Sequence, residues 1–171
     1  MIRTNNRISK VLEIIHSNPG IQFRELMEQT EMKNGTLSHY VNKIEKNGMV
    51  QVERSPRQTR FFPLHVSNSE QKITTALRKE TPKKIILYLM SEGNIGVEFS
   101  VIPSNIGKSP STVSKYLSQL VDDEIISIKI NNKQKKYFVS DRKSVDKLID
   151  MYHPTFIESA ADSFADTFNS L

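Results

Sequence analysis

The sequence predicts a mainly α chain with small β-hairpins, an α+β protein in which one unit occurs twice. Three observations predict it. Apolar residues recur at helical spacing between glycine and proline stops; two alternating apolar runs each surround a polar, basic turn; and the chain matches itself when slid along by 76 positions. At that offset Gly35-Thr36-Leu37-Ser38-His39-Tyr40 lies over Ser111-Thr112-Val113-Ser114-Lys115-Tyr116. Ile44 meets Leu120, Val50 meets Ile126, and Arg60-Phe61-Phe62 meets Lys136-Tyr137-Phe138. Upstream, Val11–Ile15 matches Ile85–Leu89 with a shift of 74, so the second copy carries an insertion near "GNIGV". A long period present twice means two copies of a domain rather than a solenoid.

The elements follow in order. An opening helix over about 6–17 buries Ile8, Val11, Leu12 and Ile15; its counterpart over 82–91 buries Ile85, Ile86 and Leu89. Thr81 before Pro82 reads as an N-cap with proline at the first helical position, and "NPG" and "EGN" end these helices. A second short helix is expected around 23–30 and 101–106, followed by a turn and a third helix over 34–47 and 110–122. Ser109-Pro110 gives the later copy a cap and first position, whereas Lys33 stands where Ser109 does and leaves the earlier helix less firmly started. Strands "MVQVER" and "RFFPL", or "IISIKI" and "KKYFV", then flank the turns "SPRQT" and "NNKQK". Helix, helix, turn, helix, hairpin is the order of a winged helix-turn-helix.

The expected layout is therefore a first winged helix-turn-helix domain over 1–66, a helical linker over 67–80, a second domain over 81–141 and a C-terminal helix over 142–171. The linker has Ile73, Ala76 and Leu77 at helical spacing, which favours a helical connector over a loose tether. In the tail Val145, Leu148, Ile149 and Tyr152 form one apolar stripe ahead of Pro154, and Thr155 with Glu158 resembles a capping box. Beyond them Phe156, Ile157, Ala160, Ala161, Phe164, Ala165 and Phe168 make a broad apolar face that must be covered. Folding back on its own domain competes with pairing to a second chain; the alanines, which permit close helix approach, favour a homodimer. Glu158, Asp162 and Asp166 on the polar face argue against an anionic membrane surface.

Charge is uneven. Residues 1–80 carry 13 Lys/Arg against 8 Asp/Glu and residues 81–140 carry 8 against 5, but residues 141–171 carry 3 against 6. A basic body with an acidic tail suits a polyanionic partner for the body and another task for the tail. Cysteine is absent, which removes disulfide, zinc–thiolate and thiol-redox chemistry, and His16, His39, His65 and His153 are scattered along the chain. No metal or cofactor is expected. No stretch has the length of a membrane span or the pattern of a signal peptide, so a cytoplasmic location is the default. P-loop, GxGxxG, HExxH and triad patterns are all missing, so no catalytic residue is expected; Asp122-Asp123-Glu124 reads as a solvated helix end.

On the third helix Leu37, Val41 and Ile44 point to the core, with Tyr40 at its edge. Lys33, Asn34, Thr36, Ser38, His39, Asn42 and Lys43 make the candidate DNA-binding face. In the second copy Val113, Leu117 and Leu120 point inward and Ser109, Ser111, Thr112, Ser114, Lys115, Ser118 and Gln119 outward. Short hydroxyls and amides near a helix N-terminus reach phosphates and base edges, and an α-helix fits the major groove of B-DNA. The competing reading is a plain solvated face. The hairpin tips add Arg54, Arg57 and Arg60, then Lys129, Lys133, Lys135 and Lys136, with Arg57 suited to a narrow minor groove and the lysines to phosphates.

"STVSKYLSQL" followed by an acidic turn and a hydrophobic pair, "ETPKKIILYLM" ahead of the second unit and the "YHPTFIESAADSFADTF" ending resemble the archaeal tandem winged helix-turn-helix transcriptional regulators, relatives of the ArsR and MarR families. The resemblance spans nearly the whole chain. It implies sequence-specific binding of double-stranded DNA by a homodimer, and the missing cysteines set the chain apart from the metal sensors of those families. Two rivals share the layout: a protein-interaction module of transcription machinery, and a DNA-replication initiator. The sequence leaves room for a small-molecule effector and names none.

Overall fold

The computed structural model describes residues 2–152, and the chain divides into two units, Met1–Gln71 and Lys72–Leu171. In the first, α1 (Ile2–Ser17) starts earlier than expected. β1 (Ile21–Gln22) leads straight into α2 (Phe23–Thr30), where the Gln22 amide donates to Glu25 Oε2 at 2.7 Å in place of a helical partner. α3 (Asn34–Lys46) and the hairpin β2 (Gln51–Ser55) and β3 (Gln58–Phe62) follow. The sheet order is β1-β3-β2, antiparallel throughout, with Ile21 opposite Phe61 and Ser55 opposite Gln58. Val11 and Ile15 of α1, Leu26 of α2, Leu37, Val41 and Ile44 of α3, and Ile21 and Phe61 of the sheet form one apolar core. Each such side chain contributes about 1.5–3 kcal/mol relative to exposure.

α4 (Asn68–Leu77) opens with a reciprocal cap: Glu70 N donates to Ser67 Oγ at 3.3 Å, and Ser67 N to Glu70 Oε2 at 2.9 Å. The division between the units falls inside this helix. Ile73, Ala76 and Leu77 belong to the second unit's core, so the stretch expected as a linker over 67–80 is in part a structural element of that unit.

The second unit continues with α5 (Glu80–Ser91), β4 (Val97–Glu98), a 3-10 turn (Phe99–Val101), α6 (Ile102–Ile106), α7 (Pro110–Asp122), β5 (Ile126–Asn131) and β6 (Gln134–Val139). Its sheet order is β4-β6-β5. Thr81 is not the cap of α5: Lys79 takes that place, and Thr81 and Pro82 are buried inside the first turn. Proline is tolerated there because those positions lack an intrahelical N–H acceptor in any case.

Residues 142–152 are helical, and Val145, Leu148 and Tyr152 are buried in the second unit's core beside Ile85, Ile102 and Leu117. The stripe expected to open a dimerisation element over 142–171 therefore completes its own unit first. Arg142 locks it in place by donating to Leu89 O, Met90 O and Gly93 O at the end of α5. The remaining candidates for dimerisation, Phe156, Ile157, Ala160, Ala161, Phe164 and Phe168, lie outside the described residues.

Candidate nucleic-acid interface

α3 is amphipathic in the way its spacing requires. Leu37, Val41 and Ile44 are buried, and so is Tyr40, which goes deeper than the edge position expected of it. Lys33, Asn34, His39, Asn42 and Lys43 are exposed, as is Lys46, a cation of the last turn that the sequence reading did not include. Thr36 and Ser38 are half-buried, and Ser38 Oγ lies 3.1 Å from Asn34 Oδ1. Lys33 is the N-cap and offers no side-chain acceptor to the first turn. The helix thus starts with amide groups open to a ligand on the side where the polar residues gather.

α7 starts differently. The Ser109 hydroxyl accepts from Thr112 N at 3.3 Å and lies 2.8 Å from Thr112 Oγ1 and 3.2 Å from Ser111 Oγ. Three of its candidate contacts are therefore tied together as a cap. Ser114, Lys115, Ser118 and Gln119 are exposed, with Lys115 Nζ 5.8 Å from the Tyr116 ring centre. Asp122, Asp123 and Glu124 beyond it are exposed, as expected of a solvated helix end.

Both third helices end alike. Gly48 and Glu124 hold φ of 63°; the next amides, of Met49 and Ile125, return to Ile44 O and Leu120 O at 2.9 Å. This left-handed closure normally selects glycine, and it turns each chain directly into its hairpin.

The hairpins differ from expectation, and from each other. Arg60 was a candidate DNA contact; its position corrects that. The side chain is 4% exposed, and its guanidinium donates to Gly20 O at 2.7 Å and to Gln58 Oε1 at 3.1 Å. Both faces of β3 are covered at this point, since Arg60, Phe61, Phe62 and Pro63 are buried in succession, so the usual alternation fails. Arg54 forms a two-pronged pair with Glu45 of α3, at 2.7 and 2.6 Å, which holds the Glu45 carboxyl below its ordinary pKa. Arg57 remains exposed at the tip. In the second hairpin Lys129, Lys133 and Lys135 are exposed and Lys136 half-buried; Lys129 Nζ sits 4.9 Å from the Phe138 ring centre and Lys135 Nζ 5.4 Å from that of Tyr137.

The histidines are less scattered in space than in sequence: the His16 and His65 rings lie 6.0 Å apart in the first unit. No group of three potential metal ligands exists among the described residues. Nor is any helix among them long and apolar enough to cross a membrane.

Residues 4–74 match the family model of an N-terminal HTH domain. The match runs from within α1 through β3 and over most of α4, so these residues are similar to a helix-turn-helix domain. No curated protein matches the chain.

Proposed function

We propose that the protein is a sequence-specific, double-stranded DNA-binding transcriptional regulator of the tandem winged helix-turn-helix kind, acting as a homodimer. The carrying observation is the coincidence of the helix-turn-helix match with the exposed polar face of α3, at the position that enters the major groove in such motifs. Duplication of one unit is supported by recurring backbone features. Gly20 and Gly96 precede the short first strands at φ 76° and 72°, and Gly48 and Glu124 close the third helices alike. The acidic apolar tail beyond residue 152 is the proposed dimer contact, supported by its sequence alone.

Selection of bound fragments from sheared genomic DNA tests the reading. The full chain enriches a small set of duplexes, and replacing His39, Asn42 and Lys43 with Ala abolishes the enrichment while changing stability by about 0.5 kcal/mol or less, as exposed positions do. Equal recovery of all fragments by both proteins refutes sequence-specific recognition through α3. For the tail, Phe164→Asp converts a dimer to a monomer in sedimentation; an unchanged mass refutes that part.

A further inference from the structure

Resting on the DNA-binding reading above, we infer that the two units divide the contacts: the second unit's hairpin, led by Lys133, grips the phosphates, while the first unit works through α3 and its hairpin contributes Arg57 alone.

Three independent features carry this. The first is charge. Of the three arginines in the β2–β3 hairpin, Arg54 is neutralised by Glu45 and Arg60 is buried, while exposed Glu53 offsets Arg57. The β5–β6 hairpin has Lys129, Lys133, Lys135 and Lys136 and no carboxylate between Ile126 and Val139. Facing ring edges and faces hold Lys129 and Lys135 without cancelling their charge.

The second is turn geometry. Asn132 and Lys133 connect the strands with φ of 49° and 65°, the two-residue turn with both residues left-handed that matches strand twist and favours Asn-Gly. Lysine stands where glycine fits without strain, so the tip keeps a cation at a conformational cost. Pro56, with its φ fixed near −65°, excludes that turn from the first hairpin, and neither Pro56 nor Arg57 has a positive φ.

The third is register. Lys129 lies directly opposite Lys136, which in turn lies opposite Glu98 of β4, so this cross-strand row sets two lysines against one carboxylate and keeps a net positive charge. A strained lysine at the tip and a cross-strand row with one lysine in excess are both explained by a polyanion. The reciprocal asymmetry is in the helices: α3 presents Lys33, Lys43 and Lys46 with Glu45 neutralised, whereas α7 presents Lys115 and runs into three carboxylates.

The test uses the full chain, a mixed-sequence duplex, and salt varied over roughly 50 to 200 mM, because phosphate contacts set the salt slope whatever the base sequence. Changing all four hairpin lysines to Gln lowers the magnitude of the slope of log K against log salt by about 3–4, and Arg57→Gln lowers it by at most about 1. Lys133→Gly separates structure from binding: it raises the melting temperature by relieving the tip while weakening affinity. A quadruple variant with wild-type slope, or Lys133→Gly with wild-type affinity, overturns the division of contacts and leaves the DNA-binding reading intact. A wild-type chain that fails to bind duplex at the lowest salt overturns that reading itself.

Discussion

Arg60 gives the sharpest prediction, because its charge suggests DNA and its position excludes it. Replacing it with Met keeps the length of the apolar stem and removes the guanidinium. The loss includes a charge-assisted hydrogen bond to Gly20 O and a weaker one to Gln58 Oε1. A hydrogen bond to a charged group contributes about 1.5–3 kcal/mol, and a buried carbonyl left without a partner costs about 1–3 kcal/mol. These overlap, and Met recovers some packing, so the expected destabilisation of the first unit is about 2–4 kcal/mol. Hydrogen exchange of peptides spanning 20–22 and 58–62 reads that unit without interference from the other. Amides that exchange through its unfolding should speed up roughly 30- to 700-fold, since about 1.4 kcal/mol is tenfold. The salt slope of duplex binding, measured where the unit is still folded, should not change. Unaltered exchange together with a slope reduced by about 1 means the guanidinium lies outside on phosphate, and the burial argument fails.

Three further changes test the packing and the caps. Gly96→Ala places a Cβ 2.2 Å from the Phe138 ring at a backbone φ of 72°, so the second unit should lose about 1–3 kcal/mol or more in chemical denaturation, with the first unit unaffected. Ser109→Ala should destabilise α7 by about 1 kcal/mol, and Glu124→Gly, which supplies the residue its left-handed φ favours, should stabilise the same helix end by a comparable amount; circular dichroism melts check both signs. The Glu80 carboxylate lies 3.1 Å from both Lys84 Nζ and Lys108 Nζ, which hold its pKa below the ordinary 4.5. A depressed carboxylate stabilises above its unfolded pKa, and that stability is lost as pH falls from about 4.5 through the lower folded value. Glu80→Gln should therefore flatten the acid limb of the stability profile, by less than about 1 kcal/mol for groups so accessible to solvent, and change nothing at pH 7 beyond the lost pair.

What the sequence made legible follows from the strength of each local rule. α7 was readable to the residue because Ser109 and Pro110 are unambiguous at a helix start, and its end is set by the turn into Ile125 and Ile126. α5 was not, because proline is equally at home at the second or third helical position, so Thr81-Pro82 does not fix the cap. β1 and β4 are two residues each, too short to show any period, and exist only through their pairing with β3 and β6. The α3 face was legible from spacing. Burial of Arg60 was not, since its partner carbonyl lies 40 residues away on Gly20. Arg142 is the same case: cations are favoured at helix C-termini, but one brought from 53 residues beyond Leu89 leaves no local trace.

These long-range arginines explain why counting cations misjudges such a surface. Guanidinium is planar and weakly hydrated, so a fold can hold it against backbone carbonyls, as with buried Arg60 and half-buried Arg142, or pair it with a surface carboxylate, as with exposed Arg54. The ammonium of lysine is strongly hydrated and stays at the surface, on a stem that can lie along an aromatic ring, as with Lys129 and Lys135. Both hairpins are basic in sequence, with three arginines and Glu53 in one and four lysines in the other. Once folded, the arginine hairpin has turned Arg60 inward to hold its own unit together and tied Arg54 to Glu45 at the surface, which leaves Arg57. The lysine hairpin has kept most of its charge outward, on strands and a turn that carry four lysines and no carboxylate, which is where a chain of phosphates has most to neutralise.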